Sequence, residues 1–364
     1  MRIRILDKYI FKESLMTFFF GVCAFSAVFI GSGTLFRIAQ YITDYGASVP
    51  AVVKVLIFSI PGIIVYTFPM SMLLASLMTF GRMSGTSEIT AMKAGGISFY
   101  RIAAPAVLLG LLVSIFSINF NEYVVPWANS AYNNVVYYEI QGKTEPESQD
   151  HIILKEIHDG QLQRLVYARR YEAESQTMQN ITMQQYNAEG KVAQVETAEY
   201  ADWSGGVWTM HNGTIYDVSL AEVDRTMRFE KQTMPVNSSP KQIVREQKKP
   251  KELTMKELRA QIDIMKSQFA DTKKLETELY QRVTIPLASL VFTLIGVPLG
   301  LQPNRNSSSV GFGISIVIIF VYYVFMTLSS AVAQGGALDP AFAVWIPNLV
   351  GLVVGICLMR HAAR

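Results

Sequence analysis

Long uncharged stretches alternate with shorter polar ones along this chain. Each of six stretches contains no Lys, Arg, Asp or Glu, and each is long enough for a hydrocarbon core that needs about 20 apolar helical residues. A segment in lipid must satisfy its own backbone hydrogen bonds, so each stretch is predicted to be a transmembrane helix. The predicted spans are Ser14–Phe36, Val55–Phe80, Ile102–Phe120, Val283–Leu301, Val310–Val332 and Ala341–Met359.

One large polar block separates the first three spans from the last three. Within it, short runs rich in β-branched and aromatic residues alternate with turn-forming residues, which is typical of antiparallel strands in a sandwich or jelly roll. Hairpin turns are predicted at Asn187–Gly190 and His211–Gly213. The predicted fold class is a membrane α-helical protein with six transmembrane helices, three plus three, and an inserted extracytoplasmic antiparallel β domain that is jelly-roll-like. The predicted strands are Leu165–Ala168, Ile181–Tyr186, Val192–Tyr200, Val207–Met210 and Thr214–Val218.

A helix is predicted between the β domain and the fourth span. Thr254-Met-Lys-Glu257 has the pattern of a capping box, and Leu258, Ile262 and Met265 follow at helical spacing. We expect this apolar stripe to pack on the protein itself. The predicted parts are an N-terminal membrane half, the β domain, a connecting helix and a C-terminal membrane half, at residues 1–126, 127–252, 253–282 and 283–364.

Lys and Arg in the short connecting segments fall on one side of the six-span pattern. The opposite short loops, residues 38–53 and 333–340, contain no Lys or Arg, and only Arg37 and Lys54 flank the first of them. Because cytoplasmic loops carry the excess of Lys and Arg, both termini are predicted to be cytoplasmic and the β domain periplasmic. The first span follows a basic start, as a signal peptide does, but its uncharged run is longer than a signal core and favours an uncleaved helix. The basic residues are Arg2, Arg4, Lys8, Lys12, Arg82, Lys93, Arg101, Arg305, Arg360 and Arg364.

Composition limits the chemistry that the chain can perform. Half of the residues are hydrophobic, and the net charge of +3 is too small to indicate nucleic-acid binding. Cys23 and Cys357 both lie inside predicted spans and are expected to behave as small apolar residues. The four histidines are scattered, so neither a metal site nor a cofactor is predicted.

The loop between the second and third spans predicts a short helix over about residues 84–95. Thr86 or Ser87 can cap its start, Glu88 suits the positive end of its dipole, and Gly95 can end it.

The same helix offers a contact surface. Ile89 and Met92 lie three residues apart and fall on one face, beside the acidic Glu88. A partner could bind this acidic and apolar surface, and a plain connector is the alternative that spacing alone leaves open.

Segments on both sides of the polar block resemble a known family, the lipopolysaccharide-export permeases LptF/LptG. Thr86–Ser98 is similar to the family's coupling helix. Glu276–Pro286 leads into Leu290–Gly300, which is similar to the family's fourth span, and Gly336–Pro340 also matches. The order of spans and inserted domain agrees with the family over the whole chain, and the resemblance is only loose in the β domain. The sequence Ser87-Glu-Ile-Thr90 is slightly more similar to LptF than to LptG.

The resemblance implies a transmembrane permease subunit of an ABC transporter in the bacterial inner membrane. Such a subunit pairs with a second permease subunit, identical or paralogous, and recruits cytoplasmic LptB-like ATPase subunits. It takes lipopolysaccharide or a related glycolipid from the outer leaflet of the inner membrane. The family's β domain, a jelly roll, passes this lipid to a periplasmic bridge with an LptC-like protein.

The resemblance also implies a set of ATPase-coupling residues. Glu88 would contact a basic residue of the ATPase, with Ile89 and Met92 in its groove, and Arg82 belongs to the same loop.

Lipid-binding residues are implied on the first and fifth helices, which form the family's lateral gate. Arg37, at the outer end of the first span, corresponds to a family position where basic side chains meet lipid phosphates. A guanidinium can pair bidentately with phosphate, and simple snorkelling at the membrane edge is the alternative. Phe320, Tyr323 and Phe325 are expected to line the lipid cavity.

Two other classes of function fit the residues less well. An intramembrane lipid-modifying enzyme would need ionisable residues at membrane depth, and the predicted spans contain no Asp, Glu, His, Lys or Arg. Gly142-Lys143-Thr144 is not a phosphate loop, because Tyr137 stands where that motif needs glycine. A mere anchor or adaptor for the β domain would need only one span.

Overall fold

The computed structural model shows a chain that forms two compact units. It describes residues 5–142, 148–158, 161–187, 189–218, 225–236, 239–240, 242–243, 247–301 and 308–363. We call Met1–Gln141 together with Pro250–Arg364 the membrane unit, and Gly142–Lys249 the sheet unit.

The described part of the membrane unit contains six helical segments that are long and apolar enough to cross a membrane, which confirms the predicted pattern. A π-helical turn at Ile30–Thr34 joins α1 to α2, and a second at Val135–Ile140 extends α5. The helices are α1 (Ile5–Phe29), α2 (Leu35–Tyr45), α3 (Val49–Gly85), α4 (Glu88–Ala94), α5 (Phe99–Asn134), α6 (Met255–Ser267), α7 (Lys273–Gly300), α8 (Ser308–Gln334), α9 (Pro340–Ala343) and α10 (Ile346–Ala363).

The helices of the first half are longer than a bilayer requires. The segment Ile5–Tyr45 has 41 residues and Phe99–Ile140 has 42. At about 1.5 Å per residue the first of these is roughly 60 Å long, about twice the hydrocarbon thickness. The predicted spans therefore covered only the central parts of these helices. Their far ends pack on one another in a small core of Ile38, Ala51, Val55, Val135, Val136 and Ile140.

The start of α1 and the end of α10 lie at the same end of the membrane unit, which we call the terminal end. A buried cluster there joins Ile10 of α1, Ile89 of α4 and Met359 of α10. The Nζ of Lys93 donates to the carbonyl of Ala362 at 3.3 Å. The opposite end, where α2 packs on the end of α5, is called the insert end.

Helix α7 lies at the centre of this bundle because small residues let its neighbours approach closely. A Cβ added to Gly296 would lie 2.8 Å from the Cβ of Ser76 in α3. A Cβ added to Gly110 of α5 would collide with the Oγ1 of Thr293 in α7. Membrane helices associate through such close van der Waals packing rather than through the hydrophobic effect.

Arg282, buried near the start of α7, holds the chain where it returns from the sheet unit. Its guanidinium donates to the carbonyl of Pro250 at 2.7 Å and to that of Leu253. Pro286 has no N–H to offer the carbonyl of Arg282, and Asn121 Nδ2 donates to that oxygen instead at 3.2 Å. The return segment is thereby fixed to α7.

The capping box predicted before α6 is confirmed. The backbone N–H of Glu257 donates to Thr254 Oγ1 at 3.2 Å, and the N–H of Thr254 donates to Glu257 Oε2 at 2.8 Å. Leu258 and Ile262 pack against Leu279 of α7, so the apolar stripe is covered by the protein itself, as expected.

The sheet unit contains one antiparallel sheet in which each strand pairs with the next along the chain. This confirms the predicted antiparallel β domain, with the strand order of a meander. The sequence did not predict its first and last strands. The strands are β1 (Gln149–His158), β2 (Gln161–Glu172), β3 (Thr177–Tyr186), β4 (Val192–Ser204), β5 (Val207–Asp217) and β6 (Arg225–Met234).

The hairpin turn predicted at His211–Gly213 is wrong, because these residues lie inside β5. Asn212 has the positive φ of 52° that such a turn uses, but the strand continues through it. The chain reverses instead at Gly205 and Gly206, with φ of 61° and 85°. The turn at Asn187–Gly190 is confirmed by a 3.0 Å hydrogen bond from the N–H of its last residue to the carbonyl of its first.

A row of residues with positive φ crosses the sheet. His151, Asn180 and Asn212, in β1, β3 and β5, have φ of 57°, 48° and 52°. The pairing skips one residue on each strand at this row, for example His151 of β1 and Arg169 of β2, so the register on both sides of the row is the same. The parts of the sheet on both sides of this row share one core of Ile152, Val166, Ala168, Tyr171, Met178, Ile181, Met183, Ala198, Ala201, Trp208, Met210, Met234 and Ile243.

Candidate functional site

The predicted surface helix exists as α4, Glu88–Ala94, at the terminal end. Ser87 enters it with a φ of 61° and makes no side-chain cap hydrogen bond. The Oγ1 of Thr86 donates instead to Glu88 Oε1 at 2.9 Å. Gly95 follows the last helical residue, as predicted, and Gly96 takes the left-handed φ of 79°. The helix is therefore held at its start by side-chain contacts of Glu88 rather than by a cap.

The Glu88 carboxylate is bonded to two other elements of its own chain. Tyr9 of α1 donates its hydroxyl to Glu88 Oε2 at 2.9 Å. Arg82, near the end of α3, places Nη1 at 3.3 Å from Glu88 Oε1. The acidic group predicted to meet an ATPase thus also holds α4 to α1 and α3.

The same guanidinium reaches α1 directly. Arg82 Nη2 lies 2.9 Å from Glu13 Oε1 and donates to the hydroxyl of Tyr9 at 3.2 Å. The side chains of Arg82, Glu13 and Glu88 keep 41%, 34% and 31% of their surface exposed. Two carboxylates share one guanidinium, so this set of described residues carries one net negative charge. We call Tyr9, Glu13, Arg82 and Glu88 the acidic network.

Ile89 and Met92 pack towards the bundle. Ile89 is only 4% exposed and lies in the buried cluster of the terminal end, with Met92 half-buried against it. The expectation that a partner's groove takes up Ile89 therefore meets a side chain that its own chain already covers. Lys93 lies 5.4 Å from the ring centroid of Phe99, which adds a cation–π contact to this attachment.

Arg37 is exposed on α2, one turn beyond the π-helical segment Ile30–Thr34. The next residue, Ile38, is buried in the core of the insert end. Within the described residues Arg37 makes no ion pair, so its guanidinium can bind an anion.

The aromatic residues predicted on the fifth span lie in different surroundings. Phe320 is 67% exposed and Phe325 37% exposed on the outer surface of α8. Tyr323 is half-buried, and its hydroxyl donates to the carbonyl of Tyr66 in α3 at 3.0 Å. Phe320 and Phe325 are thus open to lipid, whereas Tyr323 also ties α8 to α3.

Sequence reasoning missed Tyr9 and Glu13 as partners of the surface helix. Their only signal is position: a phenol and an acid stand in the first turns of a helix whose interior is uncharged. It also missed a buried polar contact inside the bundle. Tyr322 donates to Asn348 Oδ1 at 2.7 Å, and Asn348 Nδ2 donates to the carbonyl of Thr284 at 2.7 Å.

The described residues form neither a metal-binding cluster nor a disulfide. No group of three or more His, Cys, Asp or Glu side chains among them could hold a metal ion. Cys23 and Cys357 are free and exposed on the outer surface of the helices.

The fold and this site define a class of protein. Six membrane spans in two halves, an inserted antiparallel sheet and a short helix held at the terminal end are the architecture of a transporter permease subunit.

Comparison with known proteins identifies the family. The family described as "Lipopolysaccharide export system permease LptF/LptG" matches residues 8–361. The chain belongs to this family.

Characterised relatives are distant but match along most of their length. The chain is 20% identical over 359 residues to lipopolysaccharide export system permease protein LptG of Haemophilus influenzae, which covers 97% of each chain. It is 21% identical over 335 residues to the LptF protein of Escherichia coli K12, covering 89% of this chain and 86% of that one. It is 20% identical over 311 residues to the LptG protein of the same strain, covering 84% of each. These nearly equal identities do not separate LptF from LptG, so the lean towards LptF has no support.

Proposed function

We propose that this permease subunit exports lipopolysaccharide or a related glycolipid, taking it from the outer leaflet of the inner membrane and passing it to a periplasmic bridge. The membership in the LptF/LptG family carries this proposal. The six-span bundle supplies the membrane path, and Arg37, exposed and without an ion pair among the described residues, supplies a group that suits a lipid phosphate. Phe320 and Phe325 contact its acyl chains, and Tyr323 positions α8.

The energy comes from a separate cytoplasmic ATPase, and the subunit itself is not an enzyme. Gly142-Lys143-Thr144 does not complete a phosphate loop, because Tyr137 stands where that motif needs its first glycine. Residues 143–144 lie outside the described residues. The acidic network retains one net negative charge at the solvent-exposed start of α4. An LptB-like ATPase with a basic residue in its groove would be attracted there. Glu88 and the edge of Met92 face that partner, while Ile89 holds α4 in place and Arg82 holds Glu88.

The proposed orientation places the terminal end in the cytoplasm and the sheet unit in the periplasm, because the basic residues of the short loops cluster on the terminal side. Cysteine labelling tests it in a variant whose native Cys23 and Cys357 are replaced by alanine. A cysteine at Thr90 should react only with reagent inside the cell, and one at Ser204 only with reagent added outside. The opposite pattern contradicts the orientation.

The proposed partners are the ATPase, a second permease subunit and a periplasmic LptC-like bridge protein. Two alternatives remain for comparison, a lipid-modifying membrane enzyme and an anchor for the sheet unit. A lipid-modifying enzyme would need ionisable residues at membrane depth, and the six predicted spans contain no Asp, Glu, His, Lys or Arg. An anchor for the sheet unit would need one span rather than six.

Affinity purification of the intact protein in mild detergent tests the proposal, with identification of the bound proteins and lipid by mass spectrometry. We expect an ATPase, a second permease subunit and a phosphorylated glycolipid in stoichiometric amounts. Arg37→Gln should lower the bound glycolipid and leave the ATPase unchanged, with Lys54→Gln at the same end as its matched control. Recovery of the subunit without ATPase or glycolipid contradicts the proposed function.

A further inference from the structure

Arg82 is the only described side chain that contacts both α4 and the first turns of α1 through separate terminal nitrogens of one charged group. Nη1 lies 3.3 Å from Glu88 of α4, and Nη2 lies 2.9 Å from Glu13 of α1. Tyr9 closes the arrangement, since its hydroxyl donates to Glu88 and accepts from Arg82. The guanidinium thus forms a fork with one carboxylate on each prong.

Helix α1 gives this fork a long reach. The helical segment Ile5–Tyr45 has 41 residues and consists of α1, the π-helical turn Ile30–Thr34 and α2. It connects Glu13 at the terminal end with Arg37 at the insert end. A second ion pair, from Arg101 of α5 to Asp7 at 2.6 Å, steadies the first turn of α1. A displacement of α4 transmitted to Glu13 would therefore move a helical segment that is anchored in its first turn, rather than a loose terminus.

The fork contributes little to folding stability. Its three charged side chains are all about one-third exposed or more, and ion pairs at such positions are largely offset by solvation and side-chain entropy. The buried apolar contacts of Ile10, Ile89 and Met359 hold the terminal end together without it. The fork instead fixes the orientation of α4 relative to α1, because a planar guanidinium holds both of its carboxylate partners at defined angles.

We propose that Arg82 is a positioning residue that couples α4 to α1, so that a movement imposed on Glu88 by the ATPase reaches, through α1, the lipid-binding Arg37 of α2. This inference rests on the proposed function, since it assumes that an ATPase acts on α4. Arg82 itself does not dock the ATPase. Its work is to keep Glu13 and Glu88 on one rigid group.

The substitution Arg82→Lys tests this directly. Lysine keeps the positive charge but has a single nitrogen, which cannot hold both carboxylates in the fork geometry. Glu13→Gln removes the α1 prong and leaves Glu88 intact. Lys12→Ala, an exposed change in the same turn of α1, is the matched control. The intact complex is reconstituted with its ATPase in vesicles that contain lipopolysaccharide.

Three quantities are measured: ATPase recovered with the subunit, ATP hydrolysed, and glycolipid released to a periplasmic acceptor. For Arg82→Lys and Glu13→Gln we expect ATPase recovery within about twofold of wild type. Glycolipid released per ATP should fall on the order of 5- to 10-fold, the range of ordinary coupling between sites. Lys12→Ala should leave this ratio unchanged. A merely structural role would lower yield and thermal stability but not the ratio in the folded fraction.

The outcomes separate the two levels of the proposal. If wild-type protein recovers no ATPase, the proposed function fails. If wild type exports but Arg82→Lys and Glu13→Gln match Lys12→Ala, the coupling role of Arg82 is overturned. Loss of ATPase recovery in Arg82→Lys would also overturn it, because Arg82 would then be a docking contact. Should Arg82→Lys fail to fold, Glu13→Gln and Tyr9→Phe decide the same question.

Discussion

Helix α7 and helices α1 and α8 have nearly the same hydropathy but very different surroundings. Their most apolar windows have mean hydropathies of 2.0, 2.0 and 2.2. Inside the structure, 72% of the α7 window is buried, against 17% for α1 and 22% for α8. Hydropathy therefore indicates that a helix enters the membrane and leaves open whether it faces protein or lipid. The proposed lipid-binding residues lie on two poorly covered segments, Ile5–Tyr45 and α8, and the window of α3 is covered as little, at 17%.

The difference arises from small and polar residues placed at contacts. Ser76 of α3 lies against Gly296 of α7, and Thr293 of α7 lies against Gly110 of α5, so α7 packs closely on both helices. The π-helical turn that follows α1 contains Gly31 and Gly33, and no heavy atom lies within 4 Å of their Cβ positions. The same residue type thus marks a tight contact in one helix and an open surface in the other.

Replacing Gly296 or Gly33 with leucine should give the largest difference in thermal stability between the two regions. Gly296→Leu would force side-chain atoms into Ser76 and the carbonyl of Leu73, and overpacking of this kind costs about 3 kcal/mol. Gly33→Leu, its matched control, meets open space and should leave the unfolding midpoint in detergent nearly unchanged. Equal losses of thermal stability would show that α1 is covered as tightly as α7.

A smaller effect is expected at the polar contact between α7, α8 and α10. Asn348→Leu keeps the volume but leaves the Tyr322 hydroxyl and the Thr284 carbonyl without this partner, at a cost of about 1–2 kcal/mol. Thermal unfolding of Asn348→Leu, Tyr322→Phe and the double variant measures it. Since both single changes break the same hydrogen bond, the double variant should lose less than the sum. Full additivity would contradict a shared contact.

The sheet unit extends the comparison, because it buries a carboxylic acid, whereas the charged group buried in α7 is the guanidinium of Arg282. Glu196 is 1% exposed and accepts hydrogen bonds from Gln185 at 2.9 Å and Gln232 at 3.0 Å. Burial raises the pKa of Glu196 above its ordinary value of 4.5, although these hydrogen bonds and Arg164 oppose the shift. The folded sheet therefore holds this proton more tightly than the unfolded chain does.

Stability from this proton is fully present below pH 4.5 and is lost as pH rises through the raised pKa. Hydrogen exchange of strand β4 in the intact protein, corrected for the intrinsic rate, should show protection falling with pH, by about tenfold for each unit of pKa shift. Glu196→Gln should remove this dependence, and Glu199→Gln on the exposed side of β4 should leave it. An unchanged profile in Glu196→Gln would assign the dependence to another group.

Much of the fold could be predicted because its signals are local. Six uncharged runs identify six spans, and the Thr254 capping box identifies the start of α6. The far ends of the long helices could not be predicted, since residues such as Arg37 and Glu122 end the uncharged runs while the helix continues. Strand β6 was missed because charged residues, which protect sheet edges, interrupt its apolar pattern.

The sequence predicted the candidate site only within α4 and its flanking residues, and not the residues of other helices that contact it. Glu88 and the limits of α4 follow from capping chemistry and glycine, which act over a few residues. The partners of Glu88 do not, because Tyr9 lies 79 residues away along the chain and meets it only through the packing of α1 on α3 and α4. Asn212 shows the same limit in the sheet, where a residue with a turn-type φ of 52° lies inside β5 because both neighbouring strands pair on either side of it.

Recovery of the ATPase with intact Glu88→Arg protein is the most direct test of the account, because the charge of α4 is its central claim. That substitution turns the acidic network from one net negative charge to one net positive charge. Asp44→Arg makes the same change of charge at the insert end and serves as control. We predict that Glu88→Arg loses most of the co-purifying ATPase while folding normally, and that Asp44→Arg retains it. Full recovery of the ATPase by folded Glu88→Arg would contradict the account.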